Sequence, residues 1–348
     1  MISLFFTCLG FGQNIETSEK LNIKEAKKQA KRFLRKHGIP GMSISVSRKG
    51  NLIWSEGFGY ANRKTKVKVE PNKTLFRIAS ISKSITAVTL GKLVDDNLIN
   101  LDESIYNYLP DYPVKNHDFT VRELAGHLAG IRSYRGNEFT LNKKLSISEG
   151  VELFKNDSLL FEPSSQFFYN SFGYVLLSEI MQKASQTDFV SLVEKSVFNP
   201  LHMTHTMLDD SSIDIPNKTN FYKKKRVLST PVANEYKVAG GGFLSTSEDL
   251  ITFGKEIISP TLISKDVLTE ITTSQKLKSG NHTGYGIGFS VEQTKNKTPK
   301  YYHTGGGVGT STVLLIYPKE EVVISVLTNR TGIKMDAFGK ALEAIFLD

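Results

Sequence analysis

Arg77-Ile78-Ala79-Ser80-Ile81-Ser82-Lys83-Ser84 sets a Ser-x-x-Lys at the start of an apolar-periodic segment, and this stretch organises the rest of the chain. On a helix, residues three apart face the same way, so Ser80 Oγ and the Lys83 amine stand side by side. A serine at a helix start beside a desolvated lysine is an activated nucleophile of the kind acyl transfer uses. Downstream, Ile85, Val88, Thr89 and Leu93 continue the helix until Asp95-Asp96-Asn97.

Outward from this segment the chain divides into three. Before it, Asn22-x-x-Glu25 resembles a capping box. The apolar residues Ile23, Ala26, Ala30, Phe33 and Leu34 form a helical stripe ended by Gly38 and Pro40. Met42, Ile44 and Val46 alternate with polar residues as a strand, and Lys49-Gly50-Asn51 turns into a second strand through Ile53-Trp54. After it, residues 80–270 read as mostly helical with long loops. Thr120-x-x-Glu123 caps a short helix, Phe172 to Ile180 mark another, and Phe189 to Val197 a further one. The last eighty or so residues return to strands at Tyr285–Val291, Tyr301–Thr304, Thr312–Tyr317 and Val322–Leu327. A helix over Met335–Phe346 closes the chain. Strands at both ends with helices between predict an α/β plus α fold: one antiparallel sheet built from both termini, flanking helices, and a mostly helical insertion.

The 348 residues carry 44 basic and 35 acidic side chains, a formal charge of +9. The basic runs at Lys24–Lys36, Lys64–Lys68 and Lys223–Arg226 read as solvated faces and loops, and no nucleic-acid recognition motif accompanies them. Residues 1–12 are almost wholly apolar and too short to span a bilayer; they read as a secretory signal, with small residues at Gly10 and Gly12. That reading places the protein in the periplasm or outside the cell. The lone cysteine, Cys8, lies inside this stretch, so cleavage would leave a chain without disulfides or thiolate chemistry. His202-Met203-Thr204-His205 has a loosely metal-like spacing without a third ligand, and neither metal nor cofactor is expected.

A lone Ser-x-x-Lys is weak, since a chain of this length carries about one by chance. Its companions decide the matter. Tyr169-Asn170-Ser171 precedes a helix, and His303-Thr304-Gly305-Gly306 lies on an expected strand. In this order the three resemble the motif set of the serine β-lactamase and penicillin-binding-protein family, Ser-x-x-Lys, Tyr-x-Asn and Lys-Thr-Gly, closest to its class C branch. Gly38-Ile39-Pro40-Gly41, Gly241-Gly242-Phe243-Leu244-Ser245-Thr246 and Tyr285-Gly286-Ile287-Gly288-Phe289 add to the likeness. The resemblance implies a β-lactamase/transpeptidase-like fold in one catalytic domain over residues 13–348. Its α/β part is 13–79 with 271–348, and its helical part is 80–270.

The same resemblance assigns roles. Ser80 attacks a carbonyl carbon, Lys83 and Tyr169 act as general base and acid, and the Ser80 and Gly306 backbone N–H groups form the oxyanion hole. Thr304, Gly305, Ser171 and His303 contact substrate. Two departures bear on the substrate. Ser171 replaces an asparagine that holds the amide arm of a β-lactam, and His303 replaces a lysine that attracts a carboxylate. A histidine titrating near neutrality would make that attraction pH-dependent. His127 resembles a family position and reads as structural. The expectation is a serine hydrolase acting on an amide or ester, peptidase or esterase ahead of β-lactamase. A D,D-carboxypeptidase acting on cell-wall peptide is the alternative within the family. A scaffold or self-assembling protein that keeps the pocket is the alternative outside catalysis. The expected partner is a small-molecule or peptide substrate, with no nucleic acid, no stable membrane span, and oligomerisation left open.

Overall fold

The computed structural model describes residues 7–347, with side-chain detail from residue 19 onward. The N-terminal part runs α1 (Thr7–His37), β1 (Gly41–Arg48), β2 (Asn51–Asn62), β3 (Val67–Lys68) and β4 (Phe76–Arg77). The central part runs α2 (Ser82–Asp95), α3 (Val121–Ala125), α4 (Ile147–Glu152), α5 (Phe172–Ser185) and α6 (Phe189–Val193). It continues through β5 (Met207–Leu208), β6 (Tyr222–Lys224), β7 (Val227–Leu228), α7 (Val238–Gly241), β8 (Phe243–Ser245), α8 (Ser247–Ile258) and α9 (Lys265–Thr272). The chain ends with β9 (Ser290–Gln293), β10 (Pro299–Gly307), β11 (Thr310–Tyr317), β12 (Val322–Thr328) and α10 (Asp336–Leu347).

The expected sheet from both chain ends is present. Seven strands lie in the order β3-β2-β1-β12-β11-β10-β9, and every pairing is antiparallel. β1 next to β12 is the seam that joins the two ends of the chain, with Ile44 opposite Val326 and Val46 opposite Ile324. The side chains alternate as a pleat requires. Met42, Ile44 and Val46 pack with Val322, Ile324 and Val326 beneath α1 and α10, where the Phe33 and Phe338 rings stack at 4.3 Å. The serines between them are buried too, because α8 covers the opposite face: Ser43 and Ser45 each bond Ser247 Oγ, at 2.6 and 2.8 Å. Val323 and Leu327 join the larger core shared with the helical part. Gly254 lets α8 lie on β12, since a Cβ there would stand 2.4 Å from Val323 Cγ1.

Several local expectations are corrected. Asn22-x-x-Glu25 caps nothing, because α1 already runs from Thr7; Glu25 instead accepts a hydrogen bond from Gln29 one turn on, at 2.8 Å. Met1–Phe6 of the expected signal stretch lie outside the described residues, and Thr7–Gly12 belong to α1. The second strand extends past Trp54 to Asn62, where Gly57 and Gly59 hide the apolar period by admitting close backbone neighbours. The strand expected over Tyr285–Val291 is confined to Ser290–Gln293. Gly284 and Gly288 adopt positive φ there, and Gly288 presses against the Lys83 carbonyl, so the segment serves the helix α2 rather than a ladder. The helical middle also gives β8 and β5 to a three-stranded sheet with β4, and holds the β6–β7 hairpin, in which the Lys223–Arg226 run spans the end of β6 and the turn. Strands this short carry no readable period.

Among the described residues no helix is long and apolar enough to cross a membrane. Gly254→Ala should lower stability by about 1–3 kcal/mol through overpacking against Val323, read as a lower urea midpoint with an unchanged slope.

Candidate active site

Ser80 sits where three constraints meet. Thr310 Oγ1 donates to the Arg77 carbonyl at 2.6 Å and Thr312 Oγ1 to the Ile78 carbonyl at 3.0 Å, tying the preceding residues to β11. Gly305 allows β10 to close on the same segment: a Cβ would lie 2.4 Å from the Ile78 oxygen and 2.1 Å from Thr312 Oγ1. Ala79 is held at φ +46°, a left-handed conformation costly for a residue with a Cβ. The chain thus turns sharply at Ala79, passes Ser80 in a single 3-10 turn, and enters α2 at Ser82.

Helix α2 is buried around almost its whole circumference, so Lys83 has no route to water and is fully buried. Its amine finds three oxygens instead. Nζ donates to the Gly240 carbonyl at 2.6 Å and to Ser171 Oγ at 3.0 Å, and stands 3.4 Å from Ser80 Oγ. None of these is a carboxylate. Desolvation therefore goes uncompensated by an opposite charge and pulls the amine down to about 7.

Tyr169 completes the convergence. Its residue keeps 39% of its surface exposed, yet its hydroxyl is desolvated and lies close enough to the Ser80 side chain to be influenced by it. The Lys83 amine lies 5.0 Å from the centre of its ring. Desolvation pushes the phenol well above its ordinary value, with the Ser80 contact pulling the other way, so the hydroxyl keeps its proton at working pH. Asn170 is turned away: its Oδ1 accepts from the Gly173 N–H at 2.7 Å and its Nδ2 donates to the Phe168 carbonyl at 3.0 Å. It holds the start of α5 and leaves Ser171 as the residue of that motif bonded to Lys83.

His303 differs from the sequence expectation. Only 4% exposed, its Nδ1–H donates to the Thr304 carbonyl at 2.7 Å, and its Nε2 accepts from the Tyr285 hydroxyl at 3.0 Å. Desolvation first, and the Lys83 charge second, drive its pKa down to about 3. It is a neutral imidazole at physiological pH and titrates far from neutrality, so it supplies no pH-dependent attraction for a carboxylate. His127 also lies against the site rather than apart from it. Its ring packs 4.5 Å from Tyr169 and 4.9 Å from Tyr285 and is held neutral by burial.

Two clefts meet at Ser80 and Gly306. One is walled by Ser171, Arg77, Asn234 and Lys237. The other is walled by Tyr169, Tyr285, His303 and Thr304. A bond placed over Ser80 would thus send its two ends into different surroundings. Among the described residues no cluster of three or more His, Cys, Asp or Glu could hold a metal ion.

This geometry agrees with relationships across the chain. The Beta-lactamase family model matches residues 26–347. The chain belongs to the Beta-lactamase family. It is a serine hydrolase of the β-lactamase-like kind. The human mitochondrial serine beta-lactamase-like protein LACTB is 30% identical over 420 residues, covering 88% of this chain and 76% of the relative. Among solved structures, the octameric penicillin-binding protein homologue from Pyrococcus abyssi aligns with a TM-score of 0.80 at 24% identity, over 93% of this chain and 77% of its own. A class C beta-lactamase aligns at 0.81 and 18% identity, over 95% and 97%. These structures share the fold.

Sequence reasoning missed the Gly240 carbonyl, since a backbone acceptor leaves no residue-type signal. It quoted Tyr285 without a role, and passed over Lys237, three residues before Gly240.

The pH dependence follows from the lysine. Below about 7 the Lys83 amine is protonated and cannot take the Ser80 proton; above it the neutral amine can. The rate of Ser80 labelling by a fluorophosphonate should rise through a midpoint near pH 7 and level off by about pH 8.5. A flat profile between pH 5 and 9 would remove Lys83 from the base role.

Proposed function

We propose that this protein hydrolyses an amide or ester through an acyl-enzyme on Ser80, as a peptidase or esterase rather than a dedicated β-lactamase. The observation that carries this reading is the placement of Ser80, Lys83 and Tyr169 around one point, with the amine buried and its pKa depressed. Lys83 takes the hydroxyl proton as Ser80 Oγ bonds to the carbonyl carbon. Backbone N–H groups of Ser80 and Gly306 receive the oxyanion. Its collapse breaks the bond to the leaving group, which departs with the Tyr169 proton. Lys83 returns a proton to Tyr169. Water then attacks the acyl-enzyme, releasing the acid and restoring Ser80.

The preference against β-lactams rests on Ser171 and His303. Serine offers one hydroxyl, already engaged by Lys83, where an asparagine would offer an amide to the β-lactam side chain. On the His303 side the walls named above are neutral, so a leaving group that bears a carboxylate, such as a C-terminal D-amino acid, meets no cation there. This weighs against the D,D-carboxypeptidase alternative. Export to the periplasm or beyond is part of the same reading, supported by the apolar stretch at residues 1–12 alone.

Intact mass after fluorophosphonate treatment should show one adduct, absent from Ser80→Ala. With p-nitrophenyl esters, Ser80→Ala should fall to the uncatalysed rate, and with an alkyl ester or amide, whose leaving group needs a proton, Tyr169→Phe should lose about 10²–10⁴-fold in kcat. Nitrocefin should turn over more slowly than the esters. No adduct on Ser80 under forcing conditions would defeat the proposal.

A further inference from the structure

Deepening that hydrolase reading, and resting on it for which end of the substrate goes where, the two clefts differ in charge. Tyr169 lines only the His303 cleft, so a leaving group protonated by Tyr169 departs on that side. The acyl portion then occupies the cleft between Ser171 and Lys237. Among the described residues that line this acyl-side cleft there is no carboxylate, but there are two cations, Arg77 and Lys237.

The cations are not equivalent. Arg77 is committed: its Nε donates to Asp209 Oδ2 at 2.6 Å, its Nη1 to the Val308 carbonyl at 2.9 Å, and its guanidinium stacks 3.9 Å from the Phe221 ring. Asp209 is further satisfied by Asn234 Nδ2 at 2.8 Å and by Lys218 at 3.5 Å. Lys237 is only 5% exposed and makes no ion pair among the described residues. Its amine donates to the Phe139 carbonyl at 3.0 Å and lies 5.4 Å from the centre of the Tyr236 ring and 5.6 Å from that of Phe139, with no second hydrogen-bond acceptor among those residues. Glu235 and Asp209 attract its charge from beyond ion-pair range, while Arg77 repels it; Glu235 is itself held by the Ser211 N–H at 2.7 Å. Burial is the larger influence and brings the amine to about 8, so it is charged at neutral pH. A buried ammonium with open donors at the wall of a substrate cleft is costly unless something anionic completes it.

Lys237 is tied to Lys83 through one short segment. The 3-10 turn Glu235–Lys237 leads directly into α7, whose Gly240 carbonyl accepts from the Lys83 amine. The same short segment holds the base on one side and points a cation at the acyl cleft on the other.

We propose that Lys237 is an anion subsite for the acyl portion, and that the preferred substrates are amides or esters of acids carrying a second carboxylate. Selectivity comes from the acyl side, opposite the His303 position where the motif ordinarily places its lysine. Arg77 supplies field and shape, and Lys237 makes the direct contact.

The test compares 4-nitrophenyl hydrogen adipate with its neutral methyl ester. Wild type should favour the acid by about tenfold or more in kcat/KM, the scale of one charge-assisted hydrogen bond. Lys237→Met should abolish the preference, read as the ratio of kcat/KM for acid and neutral ester falling to about one on the same variant, and Lys237→Arg should keep it. Adipate itself, with no turnover involved, should raise the melting temperature of wild type and Lys237→Arg, and not of Lys237→Met. Should Lys237→Met fail to fold, wild type alone decides through inhibition by adipate and not by adipamide. Equal Ser80-dependent hydrolysis of both esters would overturn the anion subsite and leave the hydrolase reading standing. Adipate stabilisation lost in Lys237→Met, without Ser80-dependent hydrolysis of any ester, would do the reverse.

Discussion

A lysine amine buried without a carboxylate partner is the constraint around which this site is arranged. Lys83 lies on a helix packed on nearly all sides, and among the described residues its nitrogen bonds the Gly240 carbonyl, Ser171 Oγ and Ser80 Oγ. An aspartate in place of any of these would stabilise the ammonium and raise its pKa. Neutral oxygens fix the position of the amine without holding its proton. The surrounding glycines follow from the same need. Gly288 lets a loop close over the Lys83 carbonyl, and Gly305 lets β10 close over Ile78 and Ala79. The strained φ at Ala79 is borne by the bonds from Thr310 and Thr312 to the residues just before it.

Placing a buried positive charge at the centre of the site has consequences for its neighbours. His303 and His127 both have their pKa lowered, chiefly by burial and further by Lys83, so both rings are neutral at neutral pH. Tyr169 and Tyr285 remain neutral phenols. The His303 cleft is therefore a polar but uncharged wall, whereas the opposite cleft carries Arg77 and Lys237. A change from lysine to histidine in the third motif does more than delete a cation; it leaves the charge of the site on its other side.

The scaffold was legible where patterns were long. Met42, Ile44 and Val46 have the alternation of a strand and Val322 to Leu327 the near-continuous apolar run of a strand buried on both faces, and they do pair, at the seam between β1 and β12. The capping boxes show the limit of local reading. Thr120 with Glu123 is a working box, bonded in both directions. Asn22 with Glu25 has the same spacing and lies inside a helix that starts earlier. Nothing within four residues separates the two cases. The serines of β1 are the polar residues of that alternation, and they are interior because α8, some two hundred residues later, covers them.

Residue identity and order marked Ser80, Lys83 and the Tyr169 motif through their resemblance to a family's motif set, and marked the sheet built from both ends through sustained periods that local geometry enforces. Tertiary structure decided what those groups do. It buried Lys83 enough to lower its pKa, turned His303 into a neutral hydrogen-bonded ring, sent Asn170 away from the site, and brought Lys237 to the acyl cleft. Proton affinity and charge balance depend on the desolvation and neighbours that packing supplies, and these come from segments far apart in the chain.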